Sequence, residues 1–160
     1  MNTNNVEAIR KLVDNDGIST ARLGAGIAET LQQHGDPDHF IEPKEIGRNP
    51  NWKGTVTVYG DIQVWADESG TVDRLFFRVA GGLQSVIAEG CDKVKTGLED
   101  CTVDEFKFAI SPSVPSITEL VEVTQLEVTK NGTEIFAVFL PLVETGPRRL
   151  SMLRFNKSEL

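Results

Sequence analysis

Apolar residues recur at two different periods along this chain, and the change from one to the other separates a helical opening from a run of strands. Over residues 4–14, Val6, Ile9, Leu12 and Val13 fall at helical spacing with Glu7, Arg10 and Lys11 between them. That pattern predicts a short amphipathic helix ending near Asp16-Gly17. A second helix is expected to start at the cap-forming residues Ser19 or Thr20, to carry Ile27 and Leu31 on one face, and to stop at His34-Gly35-Asp36-Pro37. Gly24 and Gly26 weaken its first turn. Residues 36–53 hold three prolines and little periodicity, and read as an irregular connection.

From Thr55 the period falls to two. Thr55–Tyr59 and Ile62–Ala66 alternate, Asp67-Glu68-Ser69-Gly70 is a turn, and Val72–Val79 is a third strand. After Gly81-Gly82 the signal is mixed, with helical spacing over Leu83–Ala88 and again over Val103–Phe108. Ser116 is read as the cap of a short helix running to Val123. Strands follow at Leu126–Thr129, Ile135–Val143 and Leu150–Phe155, the first two joined at Asn131-Gly132, a strong hairpin signal.

These elements predict an α+β fold, an antiparallel sheet packed by N-terminal helices, within a single domain over residues 1–160. The order helix, strand, acidic turn, strand occurs twice. The repetition is either a duplicated helix–sheet unit, with halves 18–80 and 114–156, or hairpins that recur by chance.

Composition narrows the class. With 39% hydrophobic and 25% charged residues the chain is globular. It has no apolar run of membrane-spanning length, and residues 1–7 lack the basic and apolar regions of a signal peptide. A cytoplasmic location is therefore expected, with Cys91 and Cys101 as reduced thiols. The net charge is −8. Residues 61–105 hold ten acids and four bases, while residues 144–160 hold two acids and four bases. Such a field repels nucleic-acid phosphates and anionic lipids, attracts basic proteins, and also serves plain solubility.

Candidate chemistry is sparse. The only histidines, His34 and His39, flank Gly35-Asp36-Pro37-Asp38, but the spacing fits no standard metal motif, and a helix end followed by a turn accounts for the glycine and proline. Asp38 with Glu42-Pro43-Lys44 superficially suggests a nuclease carboxylate–lysine set, but Pro43 interrupts the strand that would have to carry it. Gly90-Cys91 offers a thiol with no base assigned to it, and a small core residue explains it more simply. There is no phosphate-binding loop. Asp67-Glu68, Glu99-Asp100 and Asp104-Glu105 read as solvated carboxylates rather than as an acid–base pair. No catalytic residue, metal or cofactor is expected.

The segments Leu23-Gly24-x-x-Ile27-Ala28-Glu29-x-Leu31-x-x-x-Gly35-Asp36-Pro37, Tyr59-Gly60-Asp61-Ile62-Gln63-Val64 and Gly70-x-Val72-x-x-Leu75-Phe76-Phe77 resemble small bacterial immunity proteins of polymorphic toxin and contact-dependent inhibition systems. The helix-plus-sheet unit is also similar to those of the β-lactamase inhibitor protein and of small outer-membrane assembly lipoproteins. The resemblance implies a non-enzymatic cytoplasmic protein that occludes the active site of a cognate basic toxin. On that view Asp61, Asp67, Glu68 and Asp73 are the steering charges and Trp65 or Tyr59 the aromatic anchor. Two other expectations stand beside it. One is a protein-interaction or homodimerising domain with no toxin partner; the other is a small enzyme using Cys91 or the His34–His39 segment.

Overall fold

The computed structural model describes residues 1–18, 20–41, 53–60, 62–79, 98–141 and 146–158. The chain opens with helix α1, Thr3–Asp14, whose first turn is capped by the Asn2 side chain accepting from the Asn4 N–H at 3.0 Å. Val6, Ile9, Leu12 and Val13 form its buried stripe, as their spacing predicts. The helix stops where Asp16 turns left-handed (φ 53°) and Gly17 follows.

Between Asp16 and the second helix the chain folds differently from expectation. Strands β1, Gly17–Ile18, and β2, Ala21–Arg22, form a small hairpin, and α2 is confined to Ile27–His34. The helix therefore starts well past Ser19 and Thr20. Gly24 (φ 82°) takes a conformation no helix admits, and Gly26 becomes the N-cap. Thr20 instead contributes its carbonyl to the Thr30 hydroxyl at 2.8 Å.

The remaining elements are β3 His39–Ile41, β4 Thr55–Tyr59, β5 Ile62–Ala66, β6 Val72–Arg78, a 3₁₀ turn at Leu98–Asp100, α3 Val103–Ile110, β7 Ser116–Glu119, β8 Thr124–Lys130, β9 Thr133–Pro141 and β10 Arg148–Lys157. With three helices, an eight-stranded antiparallel sheet and the small hairpin among the described residues, the fold is α+β. Two expectations are corrected here. Residues 39–41, read as irregular, add a strand to β4. Residues 116–119, read as a helix, pair with β8, because the β-branched Ile117 and Thr118 favour extended backbone. The helical signal at Leu83–Ala88 falls outside the described residues.

The strand order is β3-β4-β5-β6-β10-β9-β8-β7. It consists of two four-stranded meanders whose last strands, β6 and β10, pair antiparallel at the centre. In each meander neighbouring strands are joined in sequence order. The β8–β9 hairpin closes through Asn131 (φ 51°) and Gly132 (φ 80°), the left-handed pair that a two-residue turn demands.

One sheet face carries the core. Ile62, Val64, Leu75, Phe77, Leu126, Ala137, Phe139, Leu153 and Phe155 are buried against α1 and against Phe106, Ala109 and Ile110 of α3, with Ile27 of α2 packed at the margin. Phe77 meets Phe155 edge-on at 5.8 Å, and Phe106 meets Phe139 at 5.7 Å. Truncating any of these four rings to alanine should cost about 3–5 kcal/mol.

Candidate functional site

The hairpin built by β5 and β6 is where the expected partner-binding residues concentrate, and it divides them sharply. Tyr59, at the end of β4, is 1% exposed; its hydroxyl donates to the Gly35 carbonyl at 2.8 Å and its ring lies 5.3 Å from that of His34. It fastens the end of α2 to the sheet. Asp67 is committed to the turn: its carboxylate accepts from the Ser69 N–H and hydroxyl and from the Thr71 N–H. The Ser69 hydroxyl and then the Thr71 backbone hold its carboxyl below the usual range. Glu68 beside it is exposed. Asp73 is the extra residue of a β-bulge, where the β5–β6 register shifts between Trp65 and Ala66. Asp61 lies outside the described residues.

Trp65 is 8% exposed and sits on the face away from the helices, with the Arg74 guanidinium 4.8 Å above its ring. That face is closed toward β4, where Val56 and Val58 are buried, and opens over β6, β10, β9 and β8. Pairing places Phe76, Arg154, Phe136 and Glu127 in one row across these four strands, with Met152 opposite Arg78 in the next. Phe76, Phe136, Val138 and Met152 are half-buried, and Arg78 and Leu140 are exposed. The Arg154 guanidinium lies 4.7 Å over the Phe136 ring. Its Nε is shut off from solvent and makes no hydrogen bond, nor does the buried Oδ1 of Asn156 two residues on. A guanidinium with an idle donor is costly to hold so low on a surface.

Compared with known protein families, curated proteins and solved structures, the chain matches none. The functional reading therefore rests on the geometry of the molecule.

A second cluster lies at the opposite side of the fold, where α1 and α3 begin together. Thr102 and Glu105 form a capping box: the Glu105 N–H donates to the Thr102 hydroxyl at 3.1 Å, and the Thr102 N–H to the Glu105 carboxylate at 2.9 Å. The same carboxylate accepts from the Asn2 N–H and from the Asn5 side chain. Burial would raise the Glu105 pKa, but the hydrogen bonds from Thr102, Asn2 and Asn5 outweigh it and hold the carboxyl below its ordinary value. Glu105, expected to be solvated, is thus a buried structural acid, 4% exposed. These groups line a cleft of about 440 Å³ with Asp100, Asp104 and Arg149.

His34 Nε2 is 2.5 Å from the Thr20 hydroxyl. Cys91 lies outside the described residues. Cys101 is fully buried, its thiol pushed up to about 12 by burial and then by the Glu105 charge, with Arg149 opposing. Among the described residues no three His, Cys, Asp or Glu side chains could share a metal ion, and no helix is long and apolar enough to cross a membrane.

The open face could have been glimpsed in the sequence. Thr133–Pro141 reads Thr-Glu-Ile-Phe-Ala-Val-Phe-Leu-Pro, apolar on both alternating sets, which is the pattern of a strand covered on both faces. One of those faces is left half-exposed at Phe136 and Val138 and exposed at Leu140.

Proposed function

We propose that the chain is a binding protein of the immunity or inhibitor kind, which neutralises a basic toxin domain by seating it on the open face of its sheet. What carries this reading is the Arg154–Phe136 pair, an aromatic-stacked guanidinium with an unused buried donor at the centre of a half-apolar surface. Arginine and large aromatic groups with buried polar atoms awaiting partners are the usual chemistry of an interface centre. Division of labour follows. The overall charge of −8 draws a basic partner at long range, and Glu68, Glu127 and Glu134 around the face supply local acid. The arginines at the middle donate to the partner's carbonyl or carboxylate oxygens once water is excluded. A cytoplasmic location and the absence of a catalytic role belong to the same proposal.

The test is to mix the protein with the product of the neighbouring gene and measure affinity at rising salt, for the native protein and for Arg154→Met. A complex that weakens with salt and loses about tenfold or more on Arg154→Met, equivalent to at least about 1.4 kcal/mol, is the expected result. No complex, or one indifferent to Arg154, overturns the reading.

A further inference from the structure

The edge of the sheet at β7 is a separate surface with its own chemistry. Ser116–Glu119 is exposed along its whole length, and β7 has no strand beyond it among the described residues. Its flanks are apolar and fully displayed: Val114 is 90% exposed, Ile117 45%, Leu120 57% and Val121 96%. The display is built rather than frayed. The Leu120 N–H donates to the Val123 carbonyl at 2.8 Å. Arg148, reaching from β10, donates to the carbonyls of Leu120 and Val121 at 3.0 Å each and to the Thr124 hydroxyl. Three donor contacts thus fix a turn whose net effect is to hold two aliphatic side chains in water.

Proteins usually protect a free edge with lysine, with a bulge or by covering it. Among the described residues no lysine, bulge or covering element guards β7, whose protection rests on its four-residue length, on Pro115 before it and on the Glu119 charge. Residues 112–129 contain Glu119, Glu122 and Glu127 and no base, and all three acids are exposed. That charge selects the occupant. A second copy of the chain would set this acidic edge against itself within a net charge of −8, so self-pairing is opposed. An extended segment that carries an aliphatic residue and a lysine or arginine two positions apart, on one face, meets no such penalty.

We propose that β7 takes up such a basic, extended segment of a protein partner by strand addition. Main-chain N–H and C=O groups of the segment would continue the ladder on the outer side of β7. Ile117 and Glu119 share the helix-side face, two residues apart, so an aliphatic side chain of the segment packs on Ile117 while its next neighbour on that face meets Glu119. Leu120 and Val121 cover the end of the added strand. The surface is distinct from the open face, and the proposal stands or falls separately from it.

The test uses the whole protein and a blocked peptide in which valine and lysine alternate along one face with threonine between them (Val-Thr-Lys-Thr repeated), with amide exchange read residue by residue by NMR. At ten times the dissociation constant, exchange at Ile117 and Glu119, whose N–H groups face away from β8, should slow by about tenfold, the effect should fade in high salt, and Arg154→Met should leave it unchanged. The counterpart with glutamate in place of lysine should not bind native protein but should bind Glu119→Lys/Glu122→Lys, whose exposed positions leave the fold intact by circular dichroism. Absence of protection at β7, equal protection by a peptide interrupted with proline, or a dimer formed through β7 that shuts the peptide out would each overturn the proposal.

Discussion

The Asn5 side-chain amide donates to the Glu105 carboxylate at 3.2 Å, joining the first turns of α1 and α3 across 100 residues of chain. Both partners are buried, and the Glu105 carboxylate is saturated by donors from three residues. Glu105→Gln keeps the shape but weakens every one of these charge-assisted bonds, and should lower unfolding free energy at neutral pH by about 1–3 kcal/mol in a denaturant titration.

The same carboxyl gives a pH signature. Its folded pKa lies below its ordinary value of 4.5, so its contribution is fully present above that value. The contribution is lost as pH falls through the folded pKa, because the unfolded chain takes up the proton first. Asp67, also shifted downward, acts with the same sign. Stability should therefore fall steeply below about pH 4.5, and the slope should be shallower in Glu105→Gln; identical slopes would show that the carboxyl does not titrate in this way.

Cys101 should resist alkylation in the folded protein. With the thiol buried and its pKa near 12, thiolate is scarce at pH 8. Peptide mapping after iodoacetamide treatment should find Cys101 unmodified in native protein and modified in denatured protein.

Gly17 should not accept a side chain. Its φ is 141°, and an added Cβ would lie 2.4 Å from the Ala21 carbonyl oxygen and 2.6 Å from Leu75 Cδ1. Gly17→Ala is expected to cost more than about 2 kcal/mol, read as a lowered denaturation midpoint.

Arg154→Met should change stability by less than about 1 kcal/mol or raise it, because the methionine keeps its contact with Phe136 while the idle buried donor disappears. A large loss would mean that the guanidinium is holding the sheet together.

How much of this was legible in the sequence depended on whether local pattern and tertiary context agreed. Val6, Ile9, Leu12 and Val13 declare a helix because the stripe they form is the stripe that is buried. The strands from Thr55 onward and the Asn131-Gly132 turn were likewise readable. Ser116 was misleading because a residue that caps helices also begins strands, and only pairing with β8 decides between them. The acidic hairpin is legible in the sequence, but the local bonds of its residues are not: Asp67 spends its carboxylate on its own turn, and Tyr59 its hydroxyl on Gly35. Arg154 and Phe136 were not singled out, since their significance depends on a cross-strand pairing that spacing along one strand does not encode.

The meeting of β6 and β10 has a consequence for how the molecule can be divided. It is the only strand pairing between the two meanders among the described residues, every other pairing within the large sheet being local to one of them. A backbone cut between Val79 and Leu98 would therefore yield two polypeptides with complementary raw borders. Reassembly on mixing would then depend on that seam, on the contacts of α1 with α3 and with the 3₁₀ turn at Leu98–Asp100, and on the Thr133 hydroxyl donating to the Asp16 carboxylate at 3.0 Å, which makes the two halves a candidate pair for a reporter that forms by fragment complementation.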